Sequence, residues 1–165
     1  MNLLESVIAE IAKKLNENAN ENISLISYYE DYNEDFEDLE MDYYDVGEDA
    51  YDVAKKAGIN ILSSMELSAV LVDTEETLVI GGVWVSNDSK DFSFDIAIDP
   101  SYQKRGLSKS LIDHALGEFE SQKDAHRKLK MRVDVVNKEL AINLQKYYNF
   151  KVVQKIDNDR VIMTV

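Results

Sequence analysis

The sequence predicts a single domain of the α/β class, in which strands and helices follow one another along 165 residues. The clearest of these elements lie between Asp91 and Glu120. Residues 92–98 alternate between apolar and small or polar side chains, a pattern that indicates a strand with one buried face. From Leu107 onward the apolar residues recur at helical spacing. We therefore expect a strand, a tight turn and an amphipathic helix, in that order.

The turn between this strand and this helix is a candidate anion site. Pro100 ends the strand, because proline cannot donate a hydrogen bond to a neighbouring strand. Gly106 then allows a backbone conformation, or a close approach, that a side chain would forbid. The first N–H groups of a helix have no partner within it, so those after Gly106 point into the turn, where a negative charge is favoured. The alternative is an ordinary connection between a strand and a helix.

An amphipathic helix is predicted within residues 1–20. Its apolar positions form one wide stripe at helical spacing: Leu3, Leu4, Val7, Ile8, Ile11, Ala12 and Leu15. The asparagine-rich residues 16–22 end this helix, and residues 23–26 are a candidate first strand. The stripe is expected to pack either on the domain or on a second copy of the chain, so a homodimer is one expectation.

Residues 28–57 combine acidic and aromatic side chains at high density. Disordered acidic segments usually lack so many aromatics, so we predict one or two short helices here, broken near Gly47 and ended at Gly58. Carboxylates beside tyrosines suit an ammonium group, through charge pairing and cation–π contact. The alternative is a solvated helix face whose tyrosines are buried in the core.

The rest of the chain predicts further strands and one more helix. Residues 67–72 and 77–86 indicate an antiparallel hairpin, with a bulge or a close backbone approach at Gly81 and Gly82 and with Trp84 in the core. The last predicted elements are a strand, a helix ended by an asparagine, and a hairpin: residues 130–136, 138–148, and 151–156 with 160–165.

Composition and charge narrow the expected partners. The net charge is −14, from 32 acidic against 18 basic residues, and such a field repels phosphate backbones and attracts cations. General nucleic-acid binding is therefore not expected, although a high acidic charge also serves solubility alone. The chain contains no cysteine, which excludes disulfides and a cysteine nucleophile and fits a cytoplasmic protein. No membrane span and no secretory signal are expected.

The two histidines of the chain are not expected to hold a metal ion. Neither His114 nor His126 has a second ligand at a spacing typical of a metal site. Both are therefore predicted to be structural or exposed to solvent, and no metal is proposed.

The segment from Ile98 to Ile112 resembles the coenzyme-A-binding motif of the GNAT superfamily of N-acetyltransferases. In that motif a hydrophobic strand end and a proline precede Gln/Arg-x-x-Gly-x-Gly/Ala, which opens a helix with a leucine. Three residues match it: Gln103, Gly106 and Leu111. Ser108 stands where the family has glycine or alanine, and it is still a small residue.

The end of the chain is similar to a second signature of that family, Asn-x-x-Ala-x-x-Leu-Tyr-x-x-x-Gly-Phe. Three residues are in register: Ala141, Leu144 and Phe150. Asn149 replaces the glycine, and Asn137 comes one residue before the position of the family's asparagine. Gln145 takes the place of the family's tyrosine, often the acid that protonates the departing thiolate, and an amide cannot act as an acid.

The resemblance covers residues 67–165 and implies the GNAT fold. That fold has a central mixed, mostly antiparallel sheet of about six or seven strands flanked by helices, here with an extra N-terminal helix. The resemblance also implies that residues 67–165 form the coenzyme-binding core and that residues 28–57 form one wall of the acceptor cleft.

The implied activity is an acetyl-CoA-dependent N-acetyltransferase that transfers the acetyl group directly to a primary amine. The expected acceptor is a cationic amine, either a small molecule or a basic protein segment. The turn would bind the pyrophosphate, the Ile98 N–H would donate to the thioester oxygen, and the pantetheine arm would lie where the strands ending at Ile98 and Val135 separate. The expected coenzyme-binding residues are Ile96, Ala97, Ile98, Gln103, Lys104, Arg105, Gly106, Leu107, Ser108, Lys109 and Asn137.

Candidate catalytic residues follow from the same resemblance. Asp95 is the first candidate base, since it points away from the apolar face that packs on the helix; Asp91 and Glu66 are alternatives. Tyr148, or the adjacent Tyr147, is the candidate acid in place of the family's tyrosine. A second hypothesis is a GNAT-like module that binds a CoA thioester without catalysis, as a sensor or structural partner. A tRNA-acetylating toxin is disfavoured, because the acidic charge would repel RNA.

Overall fold

A seven-stranded sheet forms the centre of the computed structural model, with helices on both faces. The structure describes residues 2–28, 33–87, 92–121, 129–134, 138–158 and 160–165. Within these ranges the strands are β1 (Ile23–Ser27), β2 (Glu66–Asp73), β3 (Leu78–Asn87), β4 (Phe92–Ile98), β5 (Leu129–Asp134), β6 (Lys151–Lys155) and β7 (Arg160–Thr164). The helices are α1 (Leu3–Ala19), α2 (Glu34–Asp38), α3 (Tyr43–Lys56), α4 (Ser108–Ser121) and α5 (Lys138–Tyr147).

The strand order is β1-β2-β3-β4-β5-β7-β6, and one pair of neighbours is parallel. That pair is β4 and β5, which are joined by the crossover through α4; the other five neighbouring pairs are antiparallel. A mixed, mostly antiparallel sheet flanked by helices is the predicted fold class, and this prediction is confirmed.

Two apolar clusters cover the two faces of the sheet. The α4-side cluster joins the sheet to α4 and α5, and the α3-side cluster joins it to α2 and α3. Alternate residues of β4 enter each cluster, because successive side chains of a strand point to opposite faces. Phe92, Phe94 and Ile96 lie in the α4-side cluster, and Ala97 lies in the α3-side cluster.

The first helix is present as predicted, and its apolar stripe is exposed. Asn2 and Glu5 form a capping box, in which each side chain accepts the backbone N–H of the other residue, at 2.8 and 3.0 Å. The described residues of the stripe are all exposed: Leu3, Leu4, Val7, Ile8 and Ile11. What packs on this stripe stays a prediction. No helix in the described part of the chain is long and apolar enough to cross a bilayer.

The predicted helix break near Gly47 is wrong, because the two helices separate earlier, at residues 39–42. Asp42 begins α3 by accepting hydrogen bonds from two backbone N–H groups of its first turn, at 2.9 and 3.2 Å. Gly47 lies inside α3, where a Cβ would be 2.5 Å from the Tyr28 hydroxyl oxygen. The glycine is therefore required for packing rather than for a break. Gly58 follows α3 with a φ of 77°, as predicted for a helix stop.

Candidate active site

The strands β4 and β5 separate partway along their length. They pair in register only at Phe92–Phe94 with Leu129–Met131, although both strands continue beyond these residues. Since the rest of β5 pairs with β7 on its other side, the described part of the sheet has an opening next to residues 95–98. The sheet is thus split at the carboxyl end of β4.

The register of β4 determines which of its backbone groups face this opening. The Asp99 N–H donates to the Ile80 carbonyl of β3 at 2.7 Å, so the backbone groups of Asp99 and Ala97 face β3. Those of Ile96 and Ile98 face the opposite side. Gln103 Nε2 donates to the Ile98 carbonyl oxygen on that side, at 3.0 Å. Ile96 and Ile98, rather than Ala97, therefore direct their N–H groups into the opening.

The turn before α4 has two residues with left-handed backbone conformations, Lys104 (φ 64°) and Gly106 (φ 74°). A Cβ at Gly106 would meet nothing within 4 Å, so glycine serves the conformation and leaves open space over the turn. Ser108 begins α4, whose first N–H groups border that space. Arg105 places its guanidinium 4.7 Å from the centre of the Tyr102 ring, at the rim of the turn.

Two buried carboxylates anchor the segment that leads into the turn. Asp99 accepts the Ser101 N–H at 2.8 Å and contacts the Lys56 ammonium at 3.0 Å. Burial alone would raise the pKa of Asp99, but these hydrogen bonds outweigh it and hold the pKa below its usual value. Asp73 accepts the Tyr102 hydroxyl at 2.7 Å. Neither the contact with Lys56 nor the contact with Tyr102 could be predicted from the sequence, because the partners lie far apart along the chain.

A groove of about 450 Å³ runs from the turn along α4 and α5, lined by Gly106, Ser108, Lys109, Ile112, Asp113, Asn143, Tyr147 and Tyr148. Within it the Tyr148 hydroxyl donates to Asp113 at 2.9 Å, and the Lys109 ammonium contacts the same carboxylate at 2.7 Å. Burial, together with the Asp113 charge, raises the pKa of Tyr148 to about 12. The candidate acid is thus in the same groove as the turn. Gln145 is exposed on α5.

Asp95 lies on the other face of the sheet. It is almost fully buried, at 2% exposure, and its Oδ1 accepts the Ile96 N–H at 3.0 Å. Its cross-strand neighbour is Trp84, whose buried ring lies over Gly82 and 5.6 Å from the Tyr51 ring. The close approach predicted at the glycines of β3 and the burial of Trp84 are both confirmed. Glu66, an alternative base, is exposed at the start of β2.

The helices α2 and α3 form the outer layer on the side of the sheet that carries Asp95. The described aromatic residues of 28–57 divide into two groups. Tyr28, Phe36 and Tyr43 pack together, with the two tyrosine rings stacked at 4.3 Å. Tyr44 and Tyr51 are exposed instead. Burial, and then repulsion from Asp45 and Asp52, raises the pKa of Asp49 on the same helix. Acids and exposed tyrosines therefore share the surface of α3.

The remaining predicted residues either lie outside the described ranges or have another place in the fold. Asn137, Asp91 and Val135 lie outside the described residues, as does His126. His114 is half-buried on α4 and lies 2.8 Å from the Ser68 hydroxyl of β2, a structural contact. No group of acidic or histidine side chains in the described ranges has the arrangement of a metal site.

This fold and this opening define the class of the protein, an α/β domain with a split central sheet. The chain belongs to the acetyltransferase (GNAT) family, whose model matches residues 22–148. Members of this family use acetyl-CoA as the acetyl donor. No curated protein matches the chain significantly.

Solved structures show the same fold at low identity. A GNAT-family acetyltransferase from Streptococcus pneumoniae is 14% identical, with a TM-score of 0.57 over 87% of this chain and 98% of that one. A variant of the spermidine N-acetyltransferase SpeG from Vibrio cholerae is 17% identical, with a TM-score of 0.52 over 88% and 94%. The N-acetyltransferase PseH from Campylobacter jejuni, in complex with acetyl coenzyme A, is 21% identical, with a TM-score of 0.50 over 87% and 97%.

Proposed function

We propose that this protein is an N-acetyltransferase that transfers the acetyl group of acetyl-CoA directly to a primary amine of a cationic small molecule or protein. The observation that carries the proposal is the opening between β4 and β5, which has the Ile98 N–H on its edge and the turn at Gly106 at its end. An extended thioester needs such an opening, together with an anion site for its pyrophosphate. Acetyl-CoA supplies the acetyl group as an activated thioester.

The residues of the turn fit the coenzyme. The open space over Gly106 and the free N–H groups at the start of α4 suit a pyrophosphate, and Lys104, Arg105 and Lys109 add positive charge at the rim. The side chain of Gln103 holds the Ile98 carbonyl oxygen and so fixes the strand end beside the turn. Ile96, Ala97, Leu107, Ser108 and Asn137 complete the proposed coenzyme site.

The proposed chemistry uses one backbone group and two side chains. As the amine nitrogen forms its bond to the carbonyl carbon and the carbon–sulfur bond breaks, the Ile98 N–H stabilises the charge on the carbonyl oxygen. Asp95 accepts the proton that the amine loses, directly or through water. Tyr148 donates a proton to the departing sulfur. Since Asp95 and Tyr148 lie on opposite faces of the sheet, the opening between β4 and β5 is the proposed route that joins them.

The surface of α2 and α3 supports a cationic acceptor. Its acids and exposed tyrosines lie on the same face as Asp95, and they favour an ammonium group through charge and cation–π contact. Spermidine, the substrate named for SpeG, is a cation of this kind and belongs in any acceptor panel. We place the enzyme in the cytoplasm, in agreement with its lack of cysteine.

A second candidate function is a module that binds a CoA thioester without turnover, as a sensor or structural partner. The observation in its favour is the exposed Gln145 at the position of the family's tyrosine, together with the hydrogen bond that already engages the Tyr148 hydroxyl.

Calorimetric titration with acetyl-CoA, followed by a free-thiol assay on the same preparation against a panel of polyamines, amino sugars and basic peptides, tests both functions. Binding with amine-dependent thiol release establishes the enzyme. Binding without release across the panel favours the second candidate. No binding would mean that the turn at Gly106 is only a structural turn.

A further inference from the structure

Asn20, in the connection between α1 and β1, contacts the turn before α4. Its side-chain Nδ2 donates to the Arg105 carbonyl oxygen at 2.8 Å, although 85 residues separate the two along the chain. With Gly106 and Lys109, Asn20 also lines a cavity of about 310 Å³ beside the turn. The family match begins at residue 22, so neither the family nor its motifs assign a role to Asn20.

The contact to Arg105 determines how the Asn20 amide is oriented. If the amide were turned over, its oxygen would face the Arg105 carbonyl oxygen, and two acceptors would oppose each other. In the orientation observed, Oδ1 is buried and has no hydrogen-bond partner among the described residues. A buried acceptor without a partner destabilises the fold. The presence of an asparagine here, despite the unfavourable burial of its Oδ1, points to a role for its Nδ2 donor.

That donor acts on the peptide between Arg105 and Gly106. The carbonyl of Arg105 and the N–H of Gly106 belong to one planar trans peptide and point in opposite directions. Glycine accepts φ of either sign, and a Cβ at Gly106 would meet nothing within 4 Å. The φ of Gly106 therefore does not by itself determine the orientation of this plane.

The direction of the Gly106 N–H follows from the hydrogen bond. Because Asn20 binds the Arg105 carbonyl oxygen, the Gly106 N–H is directed away from Asn20. Gly106 borders both the Asn20 cavity and the groove between α4 and α5. If the plane turned over, a carbonyl oxygen would replace the N–H on the side away from Asn20, where an anion would be repelled.

We propose that Asn20 is a positioning residue for the coenzyme, which locks the Arg105–Gly106 peptide with its N–H available to the pyrophosphate. The inference rests on the proposed function, since it needs a coenzyme whose pyrophosphate binds at the turn. It gives the segment before the family match a part in the coenzyme site.

The test compares Asn20→Asp with Asn22→Asp. The first keeps the shape of the side chain and removes its donor. The second makes the same charge change two residues away, where the Asn22 Nδ2 donates to Glu75 at an exposed position, at 2.8 Å. We expect the Kd for acetyl-CoA to rise about tenfold in Asn20→Asp relative to Asn22→Asp, with kcat at saturation nearly unchanged. Asn20→Ala, which removes the donor without adding charge, should lie between them.

A second readout needs no ligand. The backbone ¹H–¹⁵N signal of Gly106 should shift in both Asn20 variants and stay in place in Asn22→Asp. If both Asp variants bind acetyl-CoA equally and the Gly106 signal does not move, the role of Asn20 is overturned while the acetyltransferase proposal stands. If the wild-type protein does not bind acetyl-CoA, the proposed function fails on its own. Even then, a shift of the Gly106 signal in the Asn20 variants supports the proposal that Asn20 orients the Arg105–Gly106 peptide. An unchanged signal overturns that proposal.

Discussion

The two faces of β4 present different kinds of chemistry. On the α4 side the strand is apolar, and the groups available to a ligand belong to the backbone: the N–H groups beside Gly106 and at the start of α4. On the α3 side the strand carries the buried carboxylate of Asp95, covered by a helix whose outer surface is acidic. One face offers dipoles in a fixed geometry, and the other offers charged side chains.

This difference explains why one half of the candidate site is recognisable in the sequence and the other is not. A site made of backbone N–H groups needs only a few residue types in a strict order, because the fold supplies the donors. A site made of side chains depends on which residues distant segments bring together. The coenzyme end should therefore respond to changes in conformation, and the acceptor end to changes in charge.

The largest effect on affinity for the coenzyme is expected at the backbone-built end. Gly106→Glu should weaken acetyl-CoA binding by more than about 100-fold, because a carboxylate would enter the pyrophosphate space and a side chain would strain the φ of 74°. The fold should persist, since a Cβ there meets nothing within 4 Å. Gly117→Glu, in α4 and equally free of neighbours, is the matched control in calorimetry. Unchanged affinity in Gly106→Glu would remove the turn from the site.

At the side-chain end, Asp95→Asn should lower kcat by about 10²- to 10⁴-fold, because an amide cannot accept the proton of the amine. Affinity for acetyl-CoA should change little, since the asparagine oxygen can still accept the Ile96 N–H. Asp52→Asn, which removes an exposed charge from α3, is the control for a general loss of negative charge. Equal rates in the two variants would show that Asp95 is not the base.

The elements that the sequence predicted well are those with local signals. The period of residues 92–98, the stop at Gly58 and the left-handed Asn149 that ends α5 each depend on near neighbours, and the structure has all three. The break placed at Gly47 failed for a physical reason. Glycine commonly interrupts helices, but here it makes room for the Tyr28 ring, which comes from a different part of the chain.

The same limit applies to the candidate site. The motif around Gly106 was recognisable, but the contacts that hold the turn were not: Lys56 with Asp99, Tyr102 with Asp73, and Asn20 with Arg105. Each joins segments far apart along the chain, and a single sequence contains no spacing rule for such pairs. Likewise, the exposure of Tyr51 and the partial burial of Tyr43 depend on how α3 packs on the sheet.

A smaller effect is expected from Tyr148→Phe, which should slow kcat about tenfold with little change in affinity for acetyl-CoA. Tyr147→Phe, at the exposed neighbour in the same groove, tests the alternative acid: slowing in this variant instead would assign the role to Tyr147. Because the Asp113 charge helps to raise the pKa of Tyr148 to about 12, Asp113→Asn should lower that pKa. The alkaline limb of kcat would then move to lower pH. An unchanged rate in Tyr148→Phe would remove this hydroxyl from the mechanism.

The smallest effect is expected at His114, on the α4 side but outside the groove. Burial lowers the pKa of this imidazole, against a weaker opposing influence of Glu118 at 3.6 Å. In the unfolded chain His114 therefore binds a proton near pH 6.5, whereas in the folded chain it binds one only at lower pH. The free energy of unfolding consequently decreases as the pH falls below about 6.5. Replacement by a neutral amide, His114→Gln, should remove that part of the pH dependence and still allow a hydrogen bond to Ser68.

Urea unfolding at about pH 7.5 and about pH 5.5 measures this difference. The midpoint should fall more in the wild-type protein than in His114→Gln, while kcat and the KM for acetyl-CoA stay the same in both. Equal falls would mean that His114 titrates alike in the folded and unfolded chains. A changed KM would instead show that the Ser68–His114 contact supports coenzyme binding, although it lies outside the groove. His114 would then count among the residues of α4 that contribute to the coenzyme site rather than among the purely structural ones.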